Sequence, residues 1–233
     1  YVCLLQGCIQ SNALYDGRFL HDHIIRSEWR PNVFISTSIV NMYARCGSAE
    51  DAKMMFDKMP LRNEFSWNSM IAAYAQNGQG HKAIQLFQAM QCRGIKPDRF
   101  TLLSMVNACA DELEIEGIQS SIIGTGLESD GGIGSALIYM YSKCGSLKNS
   151  YKVFCEFSTQ DNCTLWNAMI AAYASHGHGM EALSLYYQMQ GHDVKCEKVS
   201  SLNALGACSG LAILACGMLV HAHIIMEKGL ESE

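Results

Sequence analysis

Charged residues are scarce in this sequence, and several features that would identify a common protein class are missing. Only 17% of the 233 residues are charged and 49% are hydrophobic, which is typical of a folded chain. No apolar run approaches the roughly 18 residues needed to cross a bilayer. An initiator Met, a signal peptide and an Arg/Ser-rich transit peptide are also lacking. We therefore interpret the chain as an internal piece of a longer protein.

Metal-binding spacings are also missing, although the chain has 11 cysteines. There is no Cys-x-x-Cys, and no Cys/His quartet has the spacing of a zinc site. Several cysteines instead recur at equivalent points, namely Cys46 with Cys144, and Cys8 with Cys109 and Cys208. This recurrence predicts free, mostly buried thiols in a reducing compartment, without disulfide, metal or other cofactor.

Net positive charge is the third absence, because the formal net charge is −5. Binding to nucleic acid through counterion release requires many Lys and Arg side chains on one face. A nucleic-acid-binding chain of this composition would therefore depend on a few local cations and on specific base contacts.

Internal repetition is what the sequence has in abundance. The segment Trp67-Asn68 to Tyr74 returns as Trp166-Asn167 to Tyr173, and Met42-Tyr43 returns as Met140-Tyr141, about 98 or 99 residues later. Each long period divides further, so that the chain consists of seven repeats, the first of them incomplete. The predicted repeats are 1–32, 33–63, 64–98, 99–130, 131–162, 163–197 and 198–233.

Two amphipathic helices are predicted in each repeat. In 64–98, apolar residues recur at i, i+3, i+4 and i+7 from Trp67, and the same spacing recurs from Ala83. Gly78 provides the turn between the helices, and Gly94 with Pro97 ends the second one. Strand patterns are absent. Because one helix pair cannot bury its own apolar face, the sequence predicts an all-α fold, a right-handed superhelical solenoid of helix-turn-helix repeats.

The repeats resemble the pentatricopeptide repeat family, in the plant type that cycles long, short and standard motifs. Residues 33–63 match the short motif and 64–98 the standard motif, with Trp67, Gly94 and Pro97 in place. The long motif is matched by 198–233 and by 1–32. The 99–130 repeat is shorter by about three residues, and 163–197 has Asp193 and Cys196 where Gly and Pro are usual.

This resemblance implies that each repeat binds one nucleotide of single-stranded RNA. Base identity is recognised by the fifth residue of the first helix and the last residue of the repeat, whose polar groups can bond the edge of a base. The implied pairs are Thr37/Asn63, Asn68/Asp98, Ser135/Asn162 and Asn167/Glu197. The long repeats have Val2, Leu103 and Leu202 at the equivalent position, and we interpret those repeats as spacers. Without the family, Asn68 and Asn167 would more simply be residues that brace helices.

The resemblance also assigns base-stacking and phosphate-binding residues. Phe34, Phe65 and Phe100 are second in their repeats, where the family places an apolar wedge between bases; core packing is the alternative. Gly132 and Thr164 occupy that position in two later repeats. Arg45 and Lys143, near the end of their helices, are the expected phosphate contacts, with a solvated charge as the alternative.

Two histidine pairs could suggest metal sites but are interpreted as structural. His21 with His23, and His221 with His223, recur at fixed places in the long motifs. Two residues separated by one position lie about 200° apart on a helix and cannot chelate one ion.

The expected partner is therefore single-stranded RNA, with organellar editing factors as protein partners and neither DNA nor a membrane. The expected location is the mitochondrion or the chloroplast, in RNA processing or recognition of C-to-U editing sites. No catalytic residue is expected, since the His-x-Glu and Cys-x-x-Cys of a deaminase are lacking; such a domain would follow Glu233. A protein-interaction scaffold is the alternative function. In this family the repeats run parallel to the RNA, which gives 5′-A-U-N-A-Y-3′ across 33–197.

Overall fold

The computed structural model describes residues 1–27, 32–123, 125–157, 162–192 and 198–211. These residues form thirteen α-helices and no strand. The helices are α1 (Val2–Gln10), α2 (Leu14–Arg26), α3 (Val33–Arg45), α4 (Ala49–Lys58), α5 (Glu64–Gln76), α6 (Gly80–Cys92), α7 (Arg99–Ala108), α8 (Glu112–Ile122), α9 (Gly131–Lys143), α10 (Leu147–Phe157), α11 (Cys163–Ser175), α12 (Gly179–Gly191) and α13 (Lys198–Leu211).

The helices divide into two compact units, Tyr1–Ala110 and Asp111–Glu233. In the first unit, α3 packs on α4 and on α5, and α5 packs on α6 and on α7. In the second unit, α9 packs on α10 and on α11, and α11 packs on α12 and on α13. Helices α3, α5, α9 and α11 thus each contact the helix that follows them and the next odd-numbered helix, as in stacked helical repeats. The prediction of an all-α helical-repeat solenoid is confirmed. We call the odd-numbered helices first helices and the even-numbered ones second helices.

Polar caps and glycine turns determine where these helices begin and end. Asn63 caps α5, because its side-chain oxygen accepts a hydrogen bond from the backbone N–H of Ser66 at 3.0 Å. Asp98 caps α7 in the same way through Thr101 at 2.8 Å. Gly78, between α5 and α6, has a φ of +69°, which glycine adopts without strain. The predicted turn at Gly78 is confirmed.

Each unit has a core built around a buried tryptophan. Trp67 on α5 meets Phe56 on α4 edge-on, with ring centroids 5.2 Å apart. In the second unit Trp166 on α11 meets Phe154 on α10 at 5.0 Å in the same edge-on geometry. The repeated sequence pattern therefore produces the same packing twice. The two indoles attach a first helix to the second helix that precedes it.

The expectation that the thiols are mostly buried is wrong for the described cysteines. Of the nine cysteines whose side chains the structure describes, only Cys109 and Cys208 are buried. Cys46 and Cys144 recur because they immediately follow the last residues of α3 and α9, where the chain turns, and not because they belong to a core face. Across the described part of the chain, no three His, Cys, Asp or Glu residues are grouped to hold a metal ion. Among the same residues, no helix is long and apolar enough to cross a membrane.

The first histidine pair is split between the core and the surface. His21 is buried, and its Nδ1 lies 2.8 Å from the hydroxyl oxygen of Tyr43. Burial raises the pKa of Tyr43 to about 12, so its hydroxyl keeps the proton that it can donate to a neutral His21. His23 is exposed and lies 3.3 Å from the hydroxyl of Tyr1. His221 and His223 lie outside the described residues.

Acid should destabilise the fold through His21. Burial lowers the pKa of His21, so below the usual pKa of about 6.5 the unfolded chain binds a proton that the folded chain resists. The free energy of unfolding should therefore fall between pH 7 and pH 5, by at most about 1.4 kcal/mol per pH unit for this proton. Urea titrations across this range would measure it. His21→Gln should reduce the slope, and a slope equal to that of the unchanged chain would contradict the assignment.

Candidate nucleic-acid interface

The first helices of the first unit leave one face open to solvent. On α3, α5 and α7 the second residue of each helix lies on this face, and all three are phenylalanines. Phe34, Phe65 and Phe100 are 68%, 59% and 58% exposed. Core packing, the alternative for these side chains, is therefore not what the structure shows. These three exposed rings at equivalent positions are therefore the candidates for contact with a ligand.

A cavity of about 350 Å³ opens on this face, between α3, α5 and the start of α7. Its lining includes Arg45, Phe65, Asn68, Asp98 and Phe100. The structure thus brings together one predicted base-recognition pair, two of the three predicted stacking residues and one predicted phosphate contact. The lining also includes polar residues that sequence reasoning did not identify, namely Asn41, Ser69 and Gln76. Their helical spacing from Phe65 and Arg45 was the signal that could have identified them.

At the floor of this cavity, Asn68 and Asp98 are hydrogen-bonded to each other. The side-chain nitrogen of Asn68 donates to Oδ2 of Asp98 at 2.8 Å. The other carboxylate oxygen of Asp98 accepts from the backbone N–H of Thr101 at 2.8 Å. The Thr101 hydroxyl lies between Oδ1 of Asp98, at 2.7 Å, and the amide oxygen of Asn68. Asn68 is only 5% exposed, so this network joins α5 firmly to the start of α7.

This network orients the amide without using up its bonding capacity. A primary amide has two N–H donors and an oxygen with two lone pairs. Asn68 uses one donor for Asp98 and one lone pair for Thr101, which leaves one donor and one acceptor. Thr101 was not among the predicted site residues. Its position, three residues after the helix cap Asp98, is a usual place for a capping partner and could have revealed it.

The other predicted pair of the first unit has local bonds. The Thr37 hydroxyl donates to the backbone carbonyl of Val33 at 2.7 Å, within α3. Asn63 caps α5 through its side-chain oxygen. Both side chains are half-buried at the same end of their helices as the phenylalanines.

In the second unit the predicted pairs are arranged differently. The Ser135 hydroxyl donates to the carbonyl of Gly132 at 3.1 Å, within α9. Asn162 accepts a hydrogen bond from the Thr164 hydroxyl, and its amide packs so closely on Gly131 that a Cβ there would clash. Asn167 is buried, and its amide oxygen has no hydrogen-bond partner among the described residues. Glu197, the predicted partner of Asn167, lies outside the described residues.

The two predicted phosphate contacts are both at the surface. Arg45 is exposed and lines the cavity of the first unit. Lys143 is exposed on α9, where its Nζ lies 5.5 Å from the centroid of the Tyr139 ring. The long repeats have apolar side chains in place of a recognition residue, with Val2 and Leu202 exposed and Leu103 half-buried. Such side chains can pack against a base but cannot form hydrogen bonds with its edge.

Comparisons with known proteins match the repeats of this sequence. A model described as the PPR repeat family matches residues 62–111, and a model of the PPR repeat matches 34–63 and 164–194. A mitochondrial pentatricopeptide repeat-containing protein of Arabidopsis thaliana is 33% identical over 225 residues, which cover 97% of this chain and 36% of that protein. The chloroplastic pentatricopeptide repeat-containing protein CRR2 of Arabidopsis thaliana is 32% identical over 242 residues, covering 100% of this chain and 37% of CRR2. The chain therefore spans a little over a third of the length of these relatives.

A solved structure supports the fold. The chain is similar to the pentatricopeptide repeat protein PPR10, solved in complex with an 18-nucleotide psaJ RNA element, with a TM-score of 0.71. The match has 18% sequence identity and covers 83% of this chain and 30% of PPR10. At this identity the similarity applies to the arrangement of the helices alone.

Proposed function

Because this chain belongs to the pentatricopeptide repeat family, we propose that it binds single-stranded RNA along the exposed face of its first helices. The observation that carries the proposal is the cavity of the first unit. It places aromatic rings, an oriented amide–carboxylate pair and an unburied guanidinium around one space. In RNA-binding proteins, aromatic rings stack on the face of a base, polar side chains bond its edge, and cations contact the phosphate. The similar fold of PPR10, which was solved with a bound RNA element, supports the same proposal.

In this proposal each nucleotide occupies one repeat. A base lies against Phe65 or Phe100, and its edge meets the remaining donor and acceptor of Asn68. Asp98 holds that amide in place through their mutual hydrogen bond. Arg45 neutralises a phosphate in a chain whose net charge is −5, so local cations carry the electrostatic contribution.

The order of long, short and standard motifs along the chain leads to a more detailed proposal. We propose the seven repeats with the bounds given above, one nucleotide per repeat and the order 5′-A-U-N-A-Y-3′ over 33–197. The repeats act by binding and not by catalysis, in organellar RNA processing or in recognition of C-to-U editing sites. The relatives named mitochondrial and chloroplastic support an organellar location.

Replacing Asn68 by Thr tests base recognition. The change should move the preference at the second base from uracil toward guanine, with a discrimination of about 1–3 kcal/mol by analogy with edge contacts in DNA. Band-shift titrations with oligonucleotides that differ only at that base would measure it. Asn167→Thr is the matched control, because it should alter the fifth base and leave the second base unaffected. An unchanged preference at the second base, in an Asn68→Thr chain that still binds RNA, would show that Asn68 is not a recognition residue.

Replacing Arg45 by Ala tests the phosphate contact. Loss of this cation should weaken all sequences alike and reduce the magnitude of the salt slope by about 0.7, the value for one phosphate of a single strand. Affinity measured at several salt concentrations gives that slope. Lys53→Ala is the control, since Lys53 lies on the second helix α4 and pairs with Asp57. A sequence-dependent loss, or an unchanged slope, would argue against a phosphate contact.

A protein-interaction scaffold is the second candidate function. The acidic net charge and the exposed Leu202 and Val2 favour it, because they suit a protein surface better than a phosphate backbone. Absence of RNA binding at low salt, together with partners that copurify after nuclease treatment, would establish it in place of the first proposal.

A further inference from the structure

Helix α9 lacks the aromatic ring that α3, α5 and α7 have near their starts. Its second residue is Gly132, at the position of Phe34, Phe65 and Phe100. The preceding residue, Gly131, is also without a side chain and is covered by the amide of Asn162. The first turn of α9 therefore offers backbone alone where α3, α5 and α7 offer an aromatic ring.

A different aromatic residue lies on the same face of α9. Tyr139 follows Gly132 by seven residues, about two helical turns, so both project from one side of the helix. Tyr139 is 57% exposed, although its neighbours Ile138 and Met140 are buried. At the equivalent position of the 33–63 repeat the residue is Asn41, which lines the cavity of the first unit.

The position of Lys143 adds a cation beside this ring. Its Nζ lies 5.5 Å from the ring centroid, and Lys143 follows Tyr139 by one helical turn on the same face. Side chains on a helix lean toward its N-terminus, so Lys143 approaches the ring from its C-terminal side. The Tyr139 ring correspondingly leans toward the turn that contains Ser135. The ammonium of Lys143 therefore lies beside the ring on the exposed side of α9.

We infer that Tyr139 is the base-stacking residue of the 131–162 repeat, taking the place of the aromatic missing at Gly132, with Lys143 beside it. The inference rests on the proposed RNA binding. It identifies a stacking residue that does not occupy the second position of its repeat, where the other stacking residues lie. A base stacked on the N-terminal side of the ring has its edge near Ser135, and the ammonium of Lys143 lies toward the sugar–phosphate backbone. Stacking on an aromatic ring tolerates any base, so Tyr139 contributes affinity and Ser135 with Asn162 contributes selectivity.

Fluorescence of 2-aminopurine tests this contact directly. The probe is an adenine analogue, and the proposed order places adenine at the first and fourth bases of 5′-A-U-N-A-Y-3′. We expect binding of the full 233-residue chain to quench the probe at the fourth base through stacking on Tyr139. Tyr139→Asn, which copies Asn41, should abolish that quenching and weaken binding by about 5- to 100-fold. Tyr139→Phe should preserve both, because the ring remains.

Two controls separate stacking from loss of structure. The probe at the first base, in the repeat of Phe34, should respond equally in the unchanged chain and in Tyr139→Asn. Tyr187→Asn, on the second helix α12, should change neither fluorescence nor affinity. Loss of one stacked base should weaken binding by more than about twofold. If RNA binds but Tyr139→Asn changes the affinity by less than that, the inference is wrong, whereas the proposed RNA binding stands. If the unchanged chain binds no RNA at low salt, the inference fails together with the proposed function.

Discussion

Replacing Phe65 and Phe100 together by alanine should weaken RNA binding by about 2–6 kcal/mol, since stacking contributes about 1–3 kcal/mol per base. These are the two aromatic rings that line the cavity of the first unit together with the Asn68–Asp98 pair. Because both are exposed, their loss removes little packing and should change the unfolding free energy by less than about 0.5 kcal/mol. Titration of a matched oligonucleotide, with thermal unfolding in parallel, measures the two effects separately.

The matched control for this experiment is a pair of exposed aromatics on a second helix. Tyr15 and Phe19 on α2 are 83% and 71% exposed, and their double replacement by alanine removes a similar area. Affinity should remain unchanged in that variant. Equal losses in the two double variants would mean that exposed apolar area, and not the face of the first helices, determines binding.

Replacing Trp67 by alanine should destabilise the first unit by about 3–5 kcal/mol. Trp67 is buried, packs edge-on against Phe56 and has the guanidinium of Arg93 5.1 Å from its ring centroid. Its removal leaves a cavity between α4 and α5 and frees Arg93 from the ring. This loss is a large part of the roughly 5–15 kcal/mol that stabilises a typical domain.

Urea unfolding followed by circular dichroism would measure the effect. Since repeat proteins can unfold in parts, the expected result is an early transition of the first unit and a later one of the second unit. Leu61→Ala, at a residue that is 76% exposed, should shift the midpoint very little. A Trp67→Ala chain as stable as the Leu61→Ala chain would contradict the packing described for this core.

The cavity places the bracing bonds of Asn68 at the same residue as the proposed base recognition. A role for Asn68 in bracing helices was the alternative to base recognition, and its hydrogen bonds do join α5 to α7. The same bonds hold the amide in one orientation, and under the proposed function this would lower the entropic cost of binding a base. Asn68→Thr should therefore be accompanied by a measurement of stability, so that a loss of bracing is not mistaken for a loss of base contact.

The sequence by itself determined the helical-repeat fold and the helix spacing. Apolar residues at i, i+3, i+4 and i+7 specify a helix that buries one side, and repetition of that pattern requires stacking of the pairs. The same periodicity placed Phe65 and Arg45 at defined positions on their helices, and glycine at Gly78 predicted the turn that the backbone there adopts.

Only the tertiary structure decided which apolar and polar side chains are open to solvent. Phe65 and Phe100 have the residue type of a core, and their exposure depends on how neighbouring first helices pack, which one helix does not specify. Cys46 and Cys144 recur in the sequence yet lie at helix ends and not in the core, because recurrence marks equivalent positions whatever their burial.

The contact of Asn68 with Asp98, 30 residues apart, arises where α5 meets the start of α7. A side-chain hydrogen bond between residues so far apart in the sequence depends on the distance between two packed helices. Helix packing determines that distance.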